Sequence, residues 1–107
     1  MNELAQTNPH ARTRSLRVDF FEGEDAYVLL ADLPGLKEED LQIELEGARL
    51  HLSATRTRGE EAVHFERKVR VPTGIDAENV SARYTNGVLE VRLEKQAALK
   101  PRRIAVN

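Results

Sequence analysis

Two clusters of imidazole and carboxylate groups in this sequence are of the right types to do chemistry. His51 and His64 lie on stretches of alternating polarity, with Glu60, Glu61 and Glu66 close in sequence. Imidazole together with carboxylate can hold zinc. The spacing follows no recognised ligand pattern, however, and histidines facing solvent from neighbouring strands are the commoner outcome, so no metal is expected. Glu38-Glu39-Asp40 gathers carboxylates as an acid/base site would. It falls on an exposed turn with no apolar surroundings to raise a pKa, and a solvated charge run is the better reading. Cysteine is absent, which removes thiol catalysis, thiolate ligands and disulfides. The sequence also lacks a G-x-S-x-G elbow, a phosphate-binding P-loop and a G-x-G-x-x-G turn. With no nucleophile–base pair and no cofactor cradle, no catalytic residue and no cofactor is expected. What remains is binding.

The residues best suited to binding stand near the end of the sequence. Ile104-Ala105-Val106 follows Pro101-Arg102-Arg103 in an otherwise polar tail. On an extended backbone Ile104 and Val106 point to the same side, and Pro101 discourages helix just before them. Two β-branched side chains on an Arg-flanked tail do nothing for a soluble monomer. Docked into a groove on a neighbour, they would bury apolar surface worth about 2–4 kcal/mol. Capture of an extended peptide at a sheet edge is a recurring recognition mode. The alternative is a tail that folds back onto its own domain.

A receiving groove must be built from short strands, because short strands are what the rest of the sequence encodes. Val80, Ala82 and Tyr84 alternate with Ser81, Arg83 and Thr85; Leu89, Val91 and Leu93 alternate with Glu90, Arg92 and Glu94. Asn86-Gly87 between them is the strongest hairpin signal available, since a type I′ turn needs two residues that tolerate positive φ. Such a hairpin cannot bury its apolar face alone and requires a second sheet. Leu16, Val18 and Phe20 form a first strand, and Tyr27–Asp32, apolar on both faces, suits a central strand covered on both sides. Leu33-Pro34-Gly35-Leu36 ends it. Leu41, Ile43 and Leu45 then mark one half-buried strand, and Leu50, Leu52 and Ala54 another. After a charged connection, Arg56–Glu61, the residues Val63, Phe65, Val69 and Val71 share one strand face with Arg67. A charge on that apolar face needs a partner; the alternative is a side chain that snorkels along its sheet edge to solvent. About seven strands joined by turns, with no long amphipathic helix, make an all-β sandwich.

Composition narrows the partners. The chain has 107 residues, a formal net charge of −2, five aromatics and no tryptophan. That balance argues against a phosphate-binding surface or a stacking platform for nucleic acid, and no apolar run approaches a membrane span or a signal sequence. A cytoplasmic single domain is expected. Residues 1–14 read as a short flexible N-terminal arm, 15–95 as the domain and 96–107 as a C-terminal tail. Met1 fits a natural start as well as the start of a trimmed chain.

Four segments resemble one family. Ala82-Arg83-Tyr84-Thr85-Asn86-Gly87-Val88-Leu89 matches the A-x-x-x-N-G-V-L signature of the small heat-shock proteins, the α-crystallin or Hsp20 family. Ala31-Asp32-Leu33-Pro34-Gly35 is similar to its A-D-L-P-G segment, and Phe65–Pro72 to its F-x-R-x-x-x-[LIV]-P strand. Ile104-Ala105-Val106 is similar to its terminal I-x-[IV] motif. Each is weak alone, but four in order cover nearly all of residues 15–107.

The resemblance implies an immunoglobulin-like sandwich of two antiparallel sheets (an α-crystallin domain) and ATP-independent holdase activity toward unfolded client proteins in the stress response. It implies that the I-x-V tail enters a groove lined by Ile43, Leu45, Ala82 and Tyr84, residues for which plain core packing is the alternative. It places the family's dimer-interface arginine at Arg67, flanked by Phe65 and Val69. Bacterial members carry a long connection whose strand swaps onto the partner subunit. Here only about nine residues, Arg56–His64, are available. That favours a continuous strand, Glu61–Val71, pairing antiparallel with its twin, as the animal α-crystallins are built. The short arm without aromatics points to a homodimer or small oligomer. Two other roles fit the same fold: a CS-domain-like co-chaperone adaptor for a folded partner, and an architectural subunit that co-assembles with a longer-armed paralogue.

Overall fold

The computed structural model describes residues 11–101 and 103–106. Eight strands follow in chain order: β1 Ala11–Ser15, β2 Val18–Glu22, β3 Ala26–Asp32, β4 Leu41–Glu46, β5 Arg49–Arg58, β6 Glu61–Arg70, β7 Ile75–Thr85 and β8 Val88–Lys95. They form two four-stranded sheets, one in the order β1-β6-β5-β4 and the other β2-β3-β8-β7. Every pairing is antiparallel except β1 with β6, which is parallel.

The alternating leucines and valines close the sandwich. Leu29 on β3 and Leu89, Val91 and Leu93 on β8 face Leu50 and Leu52 on β5, and all are essentially inaccessible to solvent. Leu16 joins them from the link between β1 and β2, 2 % exposed. Each such side chain contributes on the order of 1.5–3 kcal/mol by leaving water. The one buried charge among the described residues, Lys95, is satisfied: its ammonium lies 2.9 Å from Glu22 Oε2 and 5.0 Å from the Tyr27 ring centroid. β3 does not have the two covered faces its composition suggests. Its outward side chains Val28 and Leu30 are half-buried, flanked in register by Phe21 and Arg92 and by Asp19 and Glu90.

Two element boundaries differ from the sequence reading for identifiable reasons. Most of the expected arm lies outside the described residues, but Ala11–Arg14 belong to a strand rather than to irregular chain. Backbone pairing to the outer edge of β6 forms β1, and such pairing needs no hydrophobic pattern. The charged connection Arg56–Glu61 shrinks to a turn at Gly59-Glu60, with Gly59 at φ 63°, so β5 and β6 make one long hairpin.

The β7–β8 turn is type I′, with Asn86 at φ 54° and Gly87 at φ 81°. Gly87 has a second reason to be glycine, because a Cβ there would stand 3.3 Å from Pro34 Cα. Gly87→Ala is therefore expected to cost roughly 1–2 kcal/mol for the left-handed backbone, plus the displacement of Pro34. Urea unfolding of the variant, read as a lower midpoint at unchanged slope, checks it.

Candidate functional site: a groove between two sheet edges

β4 ends one sheet and β7 ends the other, so their outer edges border a slot. A groove of about 290 Å³ lies there, lined by Glu38, Leu41, Ile43, Ala82, Arg83 and Tyr84. Alternation along β4 turns Leu41, Ile43 and Leu45 to one side, where all three are half-buried and pack against the core. Ile43, Ala82 and Tyr84 line the slot. Leu45, placed in it by the family resemblance, lies farther along β4, outside the lining and against the core. The apolar floor is rimmed by Glu38 and Arg83, and Arg83 reaches 3.2 Å to Glu90. Leu41 was legible in the same alternation as Ile43. Glu38 and Arg83 were not, because they enter the rim through the sheet–sheet geometry.

Three contacts fix the crossover Leu33–Leu36, which carries the chain from one sheet to the other. Leu33 N donates to Gly87 O at 2.7 Å. The Tyr84 hydroxyl donates to Leu33 O. Arg56 Nη1 donates to Pro34 O at 3.3 Å while its guanidinium lies 5.3 Å from the Phe65 ring centroid. After the crossover, Glu38–Asp40 make a single exposed 3-10 turn, closed by Lys37 N donating to Asp40 Oδ2 at 3.1 Å.

The tail does not occupy this slot in its own chain. Residues 103–106 carry no regular structure, and Ile104 and Val106 are 79 % and 93 % exposed. On β6, Phe65, Arg67 and Val69 share one half-buried face, opposite Ala54, Leu52 and Leu50 of β5. Arg67 Nη1 donates to Leu16 O at 3.0 Å. Among the described residues no carboxylate lies within ion-pair distance of it.

His51 and His64 lie on the outward face of the β5–β6 pair and make separate contacts. His51 Nε2 is 2.7 Å from Glu66 Oε2, and His64 Nδ1 is 3.1 Å from Thr55 Oγ1. Among the described residues no three metal-ligating side chains converge, and no helix is long and apolar enough to cross a membrane. The hydrogen bond from His51 holds the Glu66 carboxyl below its ordinary pKa. A carboxyl whose folded-state pKa is depressed adds stability above its unfolded pKa and loses it as pH falls through the folded value. Glu66→Gln is expected to unfold at lower urea than the parent at neutral pH, the gap closing once the pH lies below the glutamate range. Tyr84→Phe removes the bond to Leu33 and is expected to cost about 1 kcal/mol, measured the same way.

The model of the Hsp20/alpha crystallin family matches residues 19–107. Spore protein SP21 of Stigmatella aurantiaca is 37% identical over 97 residues, covering 79% of this chain and 57% of that protein. The 18.3 kDa class I heat shock protein of Oxybasis rubra is 36% identical over 104 residues, covering 85% and 65%. The chain thus spans roughly three-fifths of the length of these two relatives. Among solved structures, Heat shock protein 16.0 from Schizosaccharomyces pombe superposes with a TM-score of 0.71 at 27% identity, covering 89% of this chain and 77% of that one. A small heat-shock protein from Xylella fastidiosa does so with 0.68 at 30% identity, covering 86% and 95%.

Proposed function

Because the chain belongs to the Hsp20/alpha crystallin family, we propose that it is an ATP-independent holdase, a chaperone that binds partly unfolded proteins and keeps them from aggregating. The observation that carries this reading is the pairing of a slot that presents Ile43, Ala82 and Tyr84 with an exposed Ile104-x-Val106. Unfolding chains expose apolar segments and unpaired strand backbone, the two features that drive aggregation. A slot between sheet edges offers a surface complementary to both.

The tail and the client then compete for the same slot. Ile104 and Val106 of one chain dock into the slot of another, contributing about 2–4 kcal/mol, little enough to yield when clients are abundant. The work is binding, with no chemical step, and the cytoplasm is the compartment this reading assigns. The 32% of charged residues keep a loaded complex dispersed. A basic assembly unit of two chains, joined along the long β6, fits the short Gly59-Glu60 turn, which leaves no connection to swap. The structure reported for the Xylella fastidiosa protein is described as a distinct high order structure. On this reading tail docking links dimers of this chain into larger species.

The intact chain at near-equimolar ratio, without nucleotide, is expected to suppress light scattering by a heat-aggregating enzyme. Unabated scattering would remove the reading. Replacing Ile104 and Val106 together by alanine is expected to reduce the solution mass to that of the dimer, as measured by sedimentation.

A further inference from the structure

The tail leaves its domain close to its own slot yet does not enter it. Lys100 borders a cavity of about 560 Å³ whose other walls include Val80 and Ser81 of β7, and the next residues of that strand, Ala82, Arg83 and Tyr84, line the slot. Along β7 the way from Ser81 to Tyr84 is about 10 Å. Four residues carry the tail from Lys100 to Ile104, an extended reach of about 13–14 Å. A tethered segment able to reach a site meets it at an effective concentration in the millimolar range, so at micromolar protein the chain's own tail would outcompete another's about a thousandfold. Ile104 and Val106 are nevertheless 79 % and 93 % exposed.

The root of the tail supplies the reason. Val80, Ala82 and Tyr84 pair in register with Leu93, Val91 and Leu89, so the slot floor lies on the core side of β7. Glu90, Arg92 and Glu94 alternate with those buried residues and belong to the opposite face of β8. Gln96 carries the pairing past the end of β8, its N donating to Gly74 O at 2.7 Å and its Nε2 to Ile75 O at 3.2 Å. Ala97–Leu99 then make a 3-10 turn, closed by Lys100 N donating to Ala97 O at 3.2 Å. The turn folds back toward that outer face, where Lys100 Nζ stands 3.9 Å from Glu94 Oε1. Lys100 is extended, at φ −74° and ψ 146°, as a residue before proline must be, and the tail sets out from there.

We propose that Gln96 and the Glu94–Lys100 pair are positioning residues that hold the tail root on the face of β8 away from the slot, so that Ile104 and Val106 miss their own slot and are left to a second copy of this chain. This rests on the tail docking proposed above and adds what decides between the chain's own slot and another's. Starting from the outer face, the same four residues must first round the edge of β7, and a reach that suffices along the strand falls short around it. Effective concentration drops to near zero once a linker cannot span its two sites. A modest change in exit direction therefore separates self-capture from exchange between chains. Charge favours the observed direction, because Lys100 shares its cavity with Glu94, Asp76 and Glu78.

A flexible spacer of about six Gly and Ser residues between Lys100 and Pro101 of the full chain restores the missing reach and leaves every residue of slot and root in place. The spacer variant is expected to lose the larger species in sedimentation and run at the mass of the dimer, with Ile104 and Val106 intact. Gln96→Ala with Lys100→Glu, which removes the bond to Ile75 and opposes like charges at Glu94, is expected to shift the mass the same way. The chain has no cysteine, so Glu38→Cys with Ala105→Cys reports whose slot a tail fills. Under mild oxidation this pair is expected to give covalent multimers in the parent and several-fold more cyclised single chain in the spacer variant. Cyclised single chain as the main product of the parent, or a spacer variant with the parent's mass and cross-links, overturns the exclusion and leaves tail docking standing. A mass unmoved by replacing Ile104 and Val106 together by alanine overturns tail docking, and this inference with it.

Discussion

The crossover Leu33–Leu36 is clamped to the tip of the β7–β8 hairpin, and the relation between the two sheets follows from that clamp. Leu33 is held at both backbone groups, its N–H by Gly87 O and its carbonyl by the Tyr84 hydroxyl. Arg56 ties the next residue, Pro34, to β5 in the opposite sheet. The clamp fixes the passage of the chain from β3 to β4, whose edge borders the slot together with that of β7. The apolar side chains that line the slot, Leu41, Ile43, Ala82 and Tyr84, are what the strand alternation supplies.

This explains why two stretches far apart in sequence both carry demanding residues. Asn86-Gly87 is constrained by the left-handed backbone of the turn and, at Gly87, by the approach of Pro34. Gly35, at φ 82°, bends the crossover beneath the stem of Arg56. Each satisfies the other's geometry, so neither is an independent turn. Lys95, Glu22 and Tyr27 do similar work at the far end of the same sheet, tying β8 to β2 and β3.

Strand positions were legible because period-two alternation is a local property, and Leu41–Leu45, Leu50–Ala54 and Leu89–Leu93 carry it cleanly. β1 was invisible because a strand added to an edge by backbone hydrogen bonds alone leaves no trace in side-chain polarity. The start of β7 at Ile75 was hidden by the irregularity between Ile75 and Val80. There Asp76 accepts from Glu78 N and Asn79 Nδ2 and so suspends the alternation. At the slot, Ile43, Ala82 and Tyr84 followed from the pattern and the resemblance together. Leu45 sits outside because where β4 and β7 diverge is set in three dimensions.

The account stands on one contact between chains, and isotope-filtered nuclear Overhauser measurement on an equal mixture of labelled and unlabelled chains observes it directly. The methyls of Ile104 and Val106 in one chain are expected to show cross-peaks to the Ile43 methyls and the Tyr84 ring of another. Cross-peaks confined within a single chain, or none between the tail and Ile43, would contradict it.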